Sequence, residues 1–181
     1  MNSLGLVEMT SIAAGMQAAD IMLKTSNVEL ILSRTICSGK YMVLIGGEVA
    51  EVETAVDNAV NQLSFGIIDT FVIPNVHKDI FPALAGHSSV EMLEALGIIE
   101  SFSVASLIEG ADAAVKAASV KLIEIRLAMA LGGKAFCTLT GDVAAVQSAV
   151  DAGAKVIADR GLLVNKVVIP KPRKELLSEM I

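Results

Sequence analysis

The sequence predicts an α+β protein made of two tandem copies of one small domain, each with the element order β-α-β-β-α-β. Two observations carry this. Residues 4–31 recur at 96–123 with 11 of 28 positions identical, and residues 39–57 recur at 133–151 with 9 of 19 identical. The apolar runs also follow the same order in both copies, alternating between strand-like and helical periods. A repeat of roughly 90 residues present twice is too long and too few for a solenoid. The expected domains are therefore 1–90 and 91–181.

The elements of the first copy follow in order. Leu4–Met9 is a short apolar strand. Ser11–Lys24 carries Ile12, Met16, Ala19 and Leu23 at helical spacing, with Ser11 as its N-cap. Val28–Ile36 and Tyr41–Ile45 are further strands, and Gly46-Gly47 reads as a turn. Val49–Leu63 is helical in period, and Thr70–Ile73 closes the copy. The second copy repeats the pattern at Leu96–Glu100, Ser103–Lys116, Val120–Met129, Ala135–Leu139, Val143–Ile157 and Lys166–Ile169. This order is that of a ferredoxin-like sandwich. Between the copies, Pro74, Pro82 and Gly86 interrupt the chain, and Val90–Leu96 reads as a helix. The tail from Pro170 to Ile181 reads as a surface helix after its prolines.

Composition narrows the function. Hydrophobic residues make up 54% and mean hydropathy is +0.65, yet no apolar run reaches the roughly 18 residues of a membrane span. Glu8 interrupts the apolar start and no basic segment precedes it, which argues against a signal peptide. Two small domains have poor surface-to-volume ratios, so a subunit interface is the expected sink for the apolar excess. The net charge is −6, with one Tyr, no Trp and no basic cluster, which disfavours nucleic acid as a partner. The two cysteines, Cys37 and Cys137, form no C-x-x-C pair, as expected of a reduced cytosolic protein.

The repeat aligns worst at Thr35-Ile36-Cys37-Ser38-Gly39-Lys40, whose counterpart is Leu127-Ala128-Met129-Ala130-Leu131-Gly132-Gly133-Lys134. The first loop holds a cysteine and the second does not. A lone cysteine most often behaves as a small buried hydrophobe. That is the expectation for Cys137, which lies between Phe136 and Thr138 in a core strand.

The segments A-A-D-I-M-L-K-T-S-N-V-E-L at 18–30, G-G-E-V-A-E-V-E-T-A-V-D at 46–57 and V-I-P near the end of each copy resemble the bacterial microcompartment shell domain. Two such domains in one chain resemble the tandem-domain shell proteins. The T-I-C-S-G-K loop resembles that of the T-type members from propanediol-utilisation compartments. The resemblance implies a structural protein rather than an enzyme, located in the shell of a cytoplasmic compartment. It implies a homotrimer imitating a hexamer, with other shell proteins and an encapsulated redox enzyme as partners, and neither nucleic acid nor membrane. It also implies that Ile36, Ser38 and Gly39 line a central pore. Cys37 there would be the metal ligand, once per chain, for an iron–sulfur cluster, [4Fe–4S], shared by three chains. Elementary chemistry agrees, because one cysteine cannot hold a cluster but threefold symmetry supplies three thiolates. One iron would then take another ligand: water, a small molecule or Ser38.

By the same resemblance, Lys24 and Lys116 lie on the edges where tiles meet, although either could simply be a solvated lysine favoured by a helix C-terminus. The family's edge arginine is missing, with Asn75 and Lys171 in its places. His77 and His87 read as surface residues, and Glu48, Glu51 and Glu53 as solvated helix faces. No phosphate-binding glycine loop or catalytic triad is present. Three functions compete: a shell tile carrying a cluster, a shell tile whose cysteine merely narrows a metabolite pore, and a ferredoxin-like enzyme or ligand-binding regulator.

Overall fold

A computed structural model describes residues 2–63, 65–86, 93–129, 131–173 and 175–176. The chain divides into two compact units at the Val76/His77 boundary, so the segment after the first copy belongs with the second. Of the helix expected over 90–96, residues 90–92 lie outside the described residues, and Ala95 and Leu96 open a strand instead of ending a helix. Most of the helix expected in the tail also lies outside the described residues.

In the first unit, β1 (Ser3–Met9), β2 (Glu29–Ile36), β3 (Lys40–Gly47) and β4 (Ile67–Pro74) form one antiparallel sheet in the order β2-β3-β1-β4. Helices α1 (Ile12–Thr25) and α2 (Val49–Gln62) pack on one face. This is the ferredoxin-like arrangement: β1 and β2 run parallel across an intervening β3. Alternate residues of the central strands, Val7, Met9, Val43 and Ile45, meet Ala18, Met22, Val52, Ala55 and Ala59 in the core. Small alanines on the helices let their axes come close to the sheet, and β-branched residues on the strands fill the pleat. The Ser11 hydroxyl caps α1 by accepting from the Ala14 N–H at 3.3 Å.

The second unit opens with α3 (Ile80–Ala85) and then repeats the sandwich. Strands β5 (Ala95–Ser101), β6 (Lys121–Leu127), β7 (Ala135–Gly141) and β8 (Leu163–Pro170) lie in the order β6-β7-β5-β8. Helices α4 (Val104–Ala117) and α5 (Val143–Asp159) accompany them, capped by Ser103 and Asp142.

Three further expectations need correction. Gly46 and Gly47 are not a turn; they are the end of β3, paired with Leu4 and Ser3 of β1. The chain can pass from β3 into α2 through Glu48 alone, so no glycine turn is required. The helix α3 was not expected, because Pro82 and Gly86 read as breakers. Pro82 instead occupies the first helical turn, where its missing N–H costs nothing, and Gly86 is the left-handed C-cap with φ +68°. Finally, β6 stops at Leu127, and Met129, expected within it, is exposed in the loop that follows.

Candidate functional site

The loop between β2 and β3 consists of Cys37, Ser38 and Gly39, closed at its foot by the Ile36–Lys40 pair. Ser38 has φ +69° and Gly39 φ +72°. Two successive left-handed residues reverse the chain tightly. Glycine does this at no steric cost, whereas serine stores strain. A Cβ at Gly39 would meet nothing within 4 Å, so that glycine serves the backbone conformation rather than a close contact. Ile36 is buried and anchors the loop, while Ser38 and Gly39 are exposed. Cys37, at the loop's start, is half-buried.

The second cysteine differs in kind. Cys137 is fully buried in β7, between Ile99 of β5 and Ile125 of β6. Desolvation pushes its thiol up to about 12, with a smaller opposing effect from a backbone hydrogen bond at Ile99. A thiol held neutral in a dry strand is neither nucleophile nor metal ligand. The loop equivalent to Cys37's runs from Ala128 to Lys134 and is longer. Among its described residues, Ala128, Gly132 and Gly133 are left-handed.

The sequence reading missed an ion pair at the foot of each loop. Lys40, the first residue of β3, donates to Glu8 Oε1 at 2.9 Å, and the Glu8 side chain is only 4% exposed. In the second unit Lys134 meets Glu100 at 2.6 Å, with Glu100 28% exposed. The signal was available, because Glu8/Glu100 and Lys40/Lys134 are both identical across the repeat. Joining them required the β1–β3 register, which sets Glu8 opposite Met42, two residues from Lys40.

Lys24 and Lys116 both stand in the last turn of a helix, and each pairs with an aspartate one turn earlier. Their settings are unequal. Lys24 and Asp20 are 74% and 59% exposed. Asp112 is only 7% exposed; it takes Lys116 Nζ at 2.5 Å and the His77 N–H at 2.8 Å. His77, expected to be a surface residue, is half-buried, and its Nδ1 accepts from the Asp79 N–H. His87 lies outside the described residues. Asn75 and Lys171, each following V-I-P, are both left-handed, with φ +52° and +48°. Glu48 and Glu53 are exposed as expected, but Glu51 is half-buried and accepts the Asn27 N–H at 3.0 Å, which ties α2 to the entry of β2.

The BMC domain model matches this chain twice, over residues 3–76 and 95–172. The chain belongs to the BMC-domain family of bacterial microcompartment shell proteins. The tandem layout is shared at full length. The bacterial microcompartment shell protein PduT of Citrobacter freundii is 40% identical over 99% of this chain and 97% of its own length. A solved microcompartments protein from Desulfitobacterium hafniense DCB has 48% identity and a TM-score of 0.92, covering 98% of this chain and 99% of its own. The shell protein EutM of Salmonella typhimurium matches at 45% identity over 46% of this chain and 85% of its own length, which is the size of one copy.

Whether the loop suits an iron–sulfur cluster follows from its donor set. Among the described residues, no group of three Cys, His, Asp or Glu comes together within one chain. A single chain therefore offers one soft ligand, the half-buried Cys37, while the other cysteine is sealed in the core. The donors fit a cluster when three chains of this shell protein present their loops to a common axis, giving three thiolates. Among the described residues, no helix is long and apolar enough to cross a membrane.

Proposed function

We propose that this structural shell protein of a bacterial microcompartment forms a homotrimer with six similar domains around a threefold axis, and that Cys37 of each chain holds a shared iron–sulfur cluster in the central pore. The observation that carries the cluster is the contrast between the two cysteines: Cys37 on a tight loop between β2 and β3, Cys137 buried as a neutral thiol. The trimer is supported by a contrast between equivalent helices. On α1, Ile12, Met16 and Leu23 are exposed, whereas on α4 Val104, Ile108 and Val115 are buried. An apolar stripe left open on one copy and closed on the other is what an unfilled subunit interface presents.

When bound, the cluster would supply one-electron transfer across the shell. The chain's own residues do the holding. Ser38 and Gly39 turn the backbone, Ile36 anchors it, and Cys37 offers its thiolate. Exchange with an encapsulated redox enzyme is the use such a site best fits. Neighbouring shell proteins would meet the tile along its rim, with Lys24 and Lys116 at the helix ends. Native mass spectrometry of anaerobically purified protein tests both parts. The expected species is a trimer of 18.8 kDa chains carrying iron and acid-labile sulfide. A stable monomer, or a colourless trimer after anaerobic reconstitution, would reject the corresponding part.

A further inference from the structure

The setting of the Glu8–Lys40 pair, rather than its presence, distinguishes the cysteine loop from its counterpart. Both units keep the pair, so its basic task is to tie the start of one central strand to the end of the other. Only in the first unit does the lysine belong to the strand ladder, paired directly with Ile36. The three-residue loop then springs from the ion pair itself. In the second unit Lys134 precedes β7, and seven residues separate β6 from β7. Glu8 is also far more enclosed than Glu100. A carboxylate taken from water cannot be left unpaired without large cost, so Lys40 is held firmly. Low local dielectric also lets the charges act on nearby groups more strongly than surface charges would.

We propose that Glu8 and Lys40 are a positioning pair for Cys37: they fix the loop from which the thiolate points and set the electrostatic field at the group it holds. This rests on the assignment of Cys37 as a cluster ligand for its second half, but not for its first. Other charges border the pair. Asp69 stands opposite Glu8 on β4, and Arg34 lies on the row that runs through Met42. Both stay constant when the pair alone is changed.

The test compares Glu8→Gln, Lys40→Met and Lys40→Arg with the native trimer. A nitroxide attached through a disulfide to Cys37 reports loop order without any cluster, and buried Cys137 remains unlabelled in the folded protein. Circular dichroism checks that each variant is folded. The native protein and Lys40→Arg should give broad, slow-motion spectra, and Glu8→Gln and Lys40→Met sharp ones. Unchanged lineshapes in both uncharged variants would overturn the positioning role. In anaerobically reconstituted protein, Lys40→Met leaves a negative charge and should lower the midpoint potential. Glu8→Gln leaves a positive charge and should raise it. Loosening alone would move both in the same direction, and that result would overturn the electrostatic role. Absence of a cluster from the native protein would reject the cluster assignment and the electrostatic role with it, while the spin-label result would still decide the positioning role.

Discussion

Gly15 of α1 lies directly against the ring of Tyr41 on β3: a Cβ at Gly15 would fall 2.4 Å from the ring carbon Cδ1 and 2.5 Å from the tyrosine Cβ. In the second copy the equivalent residues are Leu107 and Ala135, both fully buried. The bulk has changed sides. The helix gives space to the strand in one unit, and in the other a larger helix residue stands with a smaller strand residue. Tyr41 uses the arrangement to reach Ser33, with 2.9 Å between their hydroxyl oxygens.

This relationship predicts strong coupling. Gly15→Leu alone should overpack the core and cost about 1–3 kcal/mol. Tyr41→Ala alone should open a cavity and cost about 3–5 kcal/mol. The double variant, which copies the second unit, should be more stable than the two penalties added together by at least about 1 kcal/mol. Urea denaturation of all four proteins measures the cycle, and simple additivity would show that the two sites do not share space.

The two lysines should separate in behaviour. Lys116→Ala removes the cation from an enclosed aspartate, leaving it the His77 N–H, and should cost about 1 kcal/mol or more. Lys24→Ala removes an exposed pair and should cost under about 0.5 kcal/mol. Both should leave the trimer intact. If they lie on tile edges, electron microscopy should show impaired sheets from each and worse from the double variant. Normal sheets from the double variant would remove both from the edge.

Lys171 occupies a left-handed conformation that suits lysine poorly, while Asn75 at the equivalent place suits it well. Lys171→Asn should therefore raise stability by roughly 0.5–1 kcal/mol. A neutral or negative change in the denaturation midpoint would show that the lysine side chain compensates for its backbone.

Cys137 predicts an alkaline weakness. Its folded value is about 12 against an ordinary 9.0, so the folded state holds the proton more tightly than the unfolded state. The stabilising contribution is fully present below pH 9.0 and is lost as pH rises from there towards 12. Stability should fall by up to about 1.4 kcal/mol per pH unit in that window. Cys137→Ala should cost about 1 kcal/mol at neutral pH yet flatten this part of the profile. An unchanged alkaline slope in the variant would place the titrating group elsewhere.

The fold was legible because the chain states it twice. Ser11 as a cap, the short apolar run Leu4–Met9, and the helical spacing of Ile12, Met16, Ala19 and Leu23 are local signals, and two copies reinforce each other, although of those four helix residues only Ala19 is buried. What stayed hidden depends on distant register or on context. Glu8 and Lys40 are 32 residues apart and meet only through antiparallel pairing of β1 with β3. Asp112 looked identical to Asp20, but His77, 35 residues earlier, returns to it and leaves it enclosed. Gly46 and Gly47 misled because strand-end glycines and turn glycines have the same sequence signature. The cysteine stood out for the opposite reason, as the place where a faithful repeat breaks.

Iron analysis of anaerobically prepared Cys37→Ala and Cys137→Ala trimers tests the assignment of Cys37 most directly. The native trimer should bind roughly four irons with matching sulfide, as one [4Fe–4S] unit requires. Cys37→Ala should remove one thiolate from each chain, and with them the iron and the visible absorbance, while the trimer persists. Cys137→Ala should keep both. A Cys37→Ala trimer that retains its iron, with loss from Cys137→Ala instead, would contradict the assignment of the site.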